Sequence, residues 1–167
     1  MVRKEPAFSF GVRPILNLFI FIFFFSTALM DANETRTATS RRLEEARQLR
    51  LSGKFVESLK VLENEVSQKP GRKNSSELAE GWLNIALNYW NLGEVSRAEN
   101  AFIFVQALAD EKNDQAIKDY ARTSLEIIRL YQEAKRKRQE KSYQEAEAIF
   151  LSGINLARKN GMKEMEL

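Results

Sequence analysis

The sequence predicts an all-α fold of about three antiparallel helix pairs, and three observations point there. Beyond residue 30 the aromatics thin out and Ala, Leu, Glu, Lys and Arg dominate, a helix-rich composition. The only prolines are Pro6, Pro14 and Pro70, so a helix can run far without a breaker. Above all, the runs "LSGKFVESLKVL", "NLGEVSRAENAF" and "QEKSYQEAEAIF" align with one another. Each has a turn followed by a helix whose apolar residues recur at i, i+3/4 and i+7.

Taking the elements in order, residues 1–30 stand apart. A basic flank (Arg3, Lys4, Arg13) precedes an apolar run from Ile15 to Phe25, then the small residues Ser26, Thr27 and Ala28. Seven of the eleven phenylalanines lie before residue 26, so the overall hydrophobic content overstates the core of the remainder. The run suits a signal-peptide h-region with cleavage after Ala28. Extended to Met30 it reaches roughly 24 Å as a helix, short for a bilayer core of about 30 Å but within range of an uncleaved anchor. A buried core helix is the third alternative, disfavoured because the Phe run is apolar on every face. Charge before apolar run predicts that the bulk of the chain is exported, periplasmic or extracellular, either free or tethered to the inner membrane by residues 15–30. Residues 31–39, "DANETRTAT", read as a polar linker.

Residues 40–160 carry the repeated pattern. Gly53, Gly93 and Lys141 hold the turn; glycine there adopts the left-handed conformation freely, and Lys141 only with strain. Ser58, Ala98 and Ala146 follow at one common distance, and Leu62, Phe102 and Phe150 at another. In the middle unit Trp82, Ile85, Ala86 and Tyr89 form a stripe on the preceding helix. Ala86 and Ala98 allow two helix axes to approach closely, while Trp82, Tyr89 and Phe102 fill the space around the crossing. From Asp114 to Glu140 apolar residues recur without a breaker, predicting one long helix of roughly 40 Å; a split near Thr123-Ser124 is the alternative. Gly161 stops the last helix, and residues 161–167 open a further one.

The middle unit resembles the tetratricopeptide repeat, with pattern W-x2-L-G/A-x2-Y and then A-x3-F after the turn. Trp82, Ile85, Ala86, Tyr89, Ala98 and Phe102 meet its six positions, with Gly93 at the turn. The flanking units match less fully: Ala46, Leu49, Gly53, Leu62 and Pro70 fit in the first, and Leu130, Ala134, Tyr143, Ala146 and Phe150 in the third. Unit starts near residues 39, 79 and 127 are wider apart than the family's spacing of about 34. The resemblance implies a short right-handed α-solenoid whose uncapped ends allow self-association, and a chain that is the N-terminal part of a longer exported bacterial protein. By architecture alone it also suggests a structural or dimerising sensor segment of a signalling protein, or of one linked to a CHAT-type protease.

In that family the first helices of successive pairs line a concave groove. The positions implied are Leu43, Arg47 and Arg50; Leu83, Asn84, Leu87, Trp90 and Asn91; and Tyr131, Lys135 and Arg138. A basic, aromatic groove favours an extended peptide of acidic or C-terminal carboxylate character. The alternative is that Arg47, Lys135 and Arg138 are solvated helix faces and that Trp90 packs on the next repeat. Of the five carboxylate-clamp positions known in the family only Asn84 matches; Leu43, Arg47, Ile128 and Gln132 occupy the others, so clamp function is not implied.

Composition narrows the chemistry further. Histidine and cysteine are absent, which excludes imidazole acid–base chemistry, thiol nucleophiles, disulfides and the usual zinc sites. Of the net charge of +3, +2 lies in residues 1–30, so the basic pI is no nucleic-acid footprint. Lys135 to Arg138, "KRKR", point around a helix rather than along one face, flanked by Glu133 and Glu140. Glu44, Glu45, Glu145 and Glu147 lie on polar faces, where solubility explains them. There is no phosphate-cradling glycine loop. The expectation is a non-catalytic scaffold with a protein or peptide partner, no nucleic acid and no cofactor. Membrane contact is expected only through the N-terminal segment.

Overall fold

The computed structural model describes residues 38–67 and 75–165, and the signal or anchor expected at residues 1–30 lies outside them. Among the described residues there are six α-helices, one short 3-10 turn and no strand. The helices are α1 (residues 38–51), α2 (Phe55–Ser67), α3 (Ser75–Asn91), α4 (Val95–Lys112), α5 (Gln115–Gln139) and α6 (Tyr143–Lys159), followed by the 3-10 turn Lys163–Met165. Thr39–Leu167 is one unit in which α2 packs on α3, α3 on α4, α4 on α5, and α5 on α6. None of the described helices is long and apolar enough to cross a membrane.

One turn joins the helices again and again. Gly53, Gly93 and Lys141 are left-handed, with φ of 78°, 74° and 63°. Each donates its N–H to a carbonyl of the last helical turn: Gly53 to Arg50, Gly93 to Trp90, Lys141 to Arg138. The next residue reaches one carbonyl further back: Lys54 to Leu49, Glu94 to Tyr89, Ser142 to Lys137. This is the Schellman arrangement, which satisfies helix-end carbonyls within the chain's own reversal. Asn113 (φ 54°) ends α4 and Gly161 (φ 65°) follows α6 with the same two bonds. Asparagine tolerates this conformation; Lys141 occupies it at a cost glycine would not carry.

Small residues are buried on the packed faces of the helices. Ala46, Ala86 and Ala134 on the first helices have no exposed surface, and neither do Ser58 and Ala98 on the second; Ala146 retains 4%. The approach is close enough for the Ser58 hydroxyl to donate to the Ala46 carbonyl of the facing helix at 2.7 Å. Leu62 and Phe102, one helical turn beyond, are fully buried. Arg42, which stands where the middle unit has Trp82, instead pairs with the buried Glu65 across α1 and α2 at 3.6 Å.

Helix α5 is unbroken over 25 residues. Asp114 caps it by accepting the Ile117 N–H at 3.1 Å. Arg136, Lys137 and Arg138 sit in its last turn, where the helix dipole favours cations. Thr123-Ser124 does not split it, because the Ser124 hydroxyl donates back to the Tyr120 carbonyl at 2.9 Å and remains inside the helix's own bonding.

Candidate binding face

The residues expected along the first helices make two sets of contacts. Arg50 of α1 and Asn84 of α3 meet: an Arg50 Nη donates to Asn84 Oδ1 at 3.4 Å. Asn84 is oriented for this because its amide nitrogen donates to the Glu80 carbonyl one turn earlier, at 2.9 Å. The other Nη of Arg50 donates to the Glu164 carboxylate of the 3-10 turn at 3.3 Å. A buried polar chain continues from here. The Asn88 amide nitrogen donates to the Asn84 carbonyl and to Ser58 Oγ, and Ser58 in turn donates to Ala46. Polar bonding thus ties α1, α2 and α3 together beneath the segment that follows Gly161.

That segment covers the face. Met162 and Met165 are 1% and 0% exposed and belong to the same apolar cluster as Leu43, Leu87 and Trp90. Tyr120, at the start of α5, completes the surroundings of Glu164. Burial raises the Tyr120 phenol above its ordinary pKa, and the Glu164 carboxylate raises it further while Arg50 opposes. Two donors at this place stay unused among the described residues: Arg50 Nε and the Tyr120 hydroxyl are buried without a hydrogen-bond acceptor. The Tyr120 hydroxyl lies within electrostatic reach of Glu164 but outside hydrogen-bond geometry.

A second set of contacts centres on Tyr131. Tyr131 packs edge-on against Trp90, with ring centroids 5.5 Å apart, and edge-on against Phe150 at 5.9 Å. This aromatic row links α3, α5 and α6. Trp90 therefore packs on the next helix, one of the two positions the sequence leaves open for it, and its ring is not offered to solvent. Lys135 stands over the Tyr131 ring at 5.5 Å. Tyr131, Gln132, Lys135, Arg136 and Gln139 of α5, with Val95 and Ser96 of α4, line a shallow cleft of about 260 Å³.

The remaining expected residues scatter. Leu83 is half-buried and Leu87 buried. Asn91 is exposed, its amide nitrogen turned back to the Leu87 carbonyl at 2.8 Å. Arg47 is exposed and pairs with Glu44 at 3.5 Å, and Arg138 is exposed. Sequence reasoning missed Glu164, Tyr120 and the two methionines. The available signal is the apolar Met162/Met165 spacing after Gly161; the sequence predicts the opening of a further helix there, and the described residues form a 3-10 turn instead.

No family model matches this chain, and neither the curated proteins nor the solved structures contain a match to it.

Proposed function

We propose that the chain is a non-catalytic binding scaffold, built on tetratricopeptide-like helix pairs, whose first helices receive a protein or peptide partner. We further propose that it works outside the cytoplasm, delivered by residues 1–30. The observation that supports the binding role most is the short segment Met162–Met165, seated against α3 with its one carboxylate held by the buried Arg50. A face able to seat one short acidic-apolar stretch has the chemistry to seat another. Helix crossings made of small residues and capped by the same turn give that face a rigid frame.

Site-specific photo-crosslinking in the source cell's envelope tests this. A crosslinker at Arg47 or Asn91, exposed residues on the first helices, is expected to capture a partner; one at Lys60 on α2 is not. Capture from Lys60 alone, or equal capture from all three, overturns the placement.

A second reading, self-association, is favoured by Ile103 and Phe104 of α4, which are 52% and 43% exposed. Large exposed apolar side chains suit a partner surface. Sedimentation of the full chain distinguishes the two. A monomer across a hundred-fold concentration range removes this alternative.

A further inference from the structure

We propose that Met162–Met165 is an internal ligand of the α1–α3 face, and that a partner segment with an acidic residue between apolar ones takes its place. This deepens the binding role above and rests on it.

The resident segment is short, and its two methionines are buried. It forms a single 3-10 turn of three residues beyond the left-handed Gly161. Its side-chain ion pair with the face is Glu164 to Arg50, and Glu164 keeps 34% of its side chain exposed while Arg50 keeps 5%. Within this ion pair the guanidinium is thus the buried partner and the carboxylate the more exposed one. Met162 and Met165 supply the apolar contact, and methionine is the side chain most easily replaced by another apolar group of similar size.

The face also offers more than Glu164 uses. Arg50 donates one Nη to Glu164 and the other to Asn84, while its Nε, like the Tyr120 hydroxyl, is buried with no acceptor among the described residues. A carboxylate engaging Nε and Nη together would form the bidentate pair that guanidinium geometry favours. A carbonyl or second oxygen beside it would accept a hydrogen bond from the Tyr120 hydroxyl. An incoming acidic segment can therefore satisfy donors that the internal one leaves unmatched. Apolar flanks are required because Met162 and Met165 are buried in the hydrophobic core.

The test uses the full chain and a fluorescein-labelled, C-terminally amidated peptide of the sequence Lys159–Met165. Met162→Ser with Met165→Ser loosens the internal segment and leaves Arg50 in place. This variant is expected to bind the peptide about ten-fold more tightly than the wild type, because competition from the internal segment lowers apparent affinity. A peptide with Gln in place of the glutamate should lose about ten-fold. Adding Arg50→Met to the loosened variant should abolish binding. A folded variant that fails to bind, or a wild type that binds equally well, overturns the proposal. If the double variant does not fold, hydrogen exchange of the wild type decides. Amides of Met162–Met165 should exchange well before those of α3 and α4, and exchange only together with them overturns the proposal. Should Arg47 crosslinking capture a partner equally in wild type and loosened variant, the binding role stands and the internal ligand falls.

Discussion

Arg50 and Glu164 are separated by 114 residues and joined by a 3.3 Å ion pair. The guanidinium is almost wholly buried, so its removal leaves Asn84 Oδ1 and the carboxylate short of a donor. Arg50→Met should cost about 1–3 kcal/mol, and Glu164→Gln less, since an amide oxygen still accepts. A double-mutant cycle by urea denaturation should return a coupling of about 1 kcal/mol. Strict additivity would show that the pair carries no stability.

Trp90 lies in the core and stacks edge-on with Tyr131. Trp90→Ala should therefore destabilise by about 3–5 kcal/mol, seen as a lowered denaturation midpoint. A variant that keeps its midpoint and loses only partner binding would return Trp90 to the binding surface.

Ala98 has no exposed surface at the α3–α4 crossing. Ala98→Leu should destabilise by roughly 1–3 kcal/mol, because the added methylenes force the helices apart. An unchanged midpoint would show that the crossing tolerates the added volume.

The shared turn predicts opposite signs for two substitutions. Nothing lies within 4 Å of a Cβ placed on Gly93, so Gly93→Ala is penalised through its φ of 74° alone, at about 1–2 kcal/mol. Lys141→Gly relieves the corresponding strain and should stabilise by about 0.5–1 kcal/mol after the extra chain entropy of glycine is counted. Thermal midpoints moving the same way for both would contradict this account.

Tyr120 sets an alkaline limit. Its folded pKa is raised by burial and by Glu164 above the unfolded value near 10. The neutral phenol therefore supports folding fully below pH 10, and that support is lost as pH rises above it. Tyr120→Phe should be near neutral at pH 7, since it deletes a buried hydroxyl that has no acceptor. Between pH 10 and 11 it should be more stable than the wild type in urea titrations. Parallel pH profiles for the two chains would refute the assignment.

What the sequence made legible was local. The spacing of Ala86, Ala98 and Ala146 predicts covered positions, and all three are buried. The unusual Lys141 was readable as a strained turn, and the uninterrupted α5 followed from its period. The seat of Trp90 was left open between two positions, since apolar spacing tells which face is covered and not which helix covers it. Glu164 and Tyr120 were invisible for a related reason. Their meeting with Arg50 is non-local and imposes no period on the chain around any of them.

Because each joint closes its own hydrogen bonds within about six residues, it asks nothing of the helices on either side beyond a small residue at the crossing. Helix length and joint are consequently separate variables. The 25 residues of α5 and the 17 of α6 meet through the same geometry that joins the 17 of α3 to the 18 of α4. Whole helical turns can thus be inserted or deleted during divergence without redesigning any corner, and the spacing between units can drift while the architecture of each corner persists.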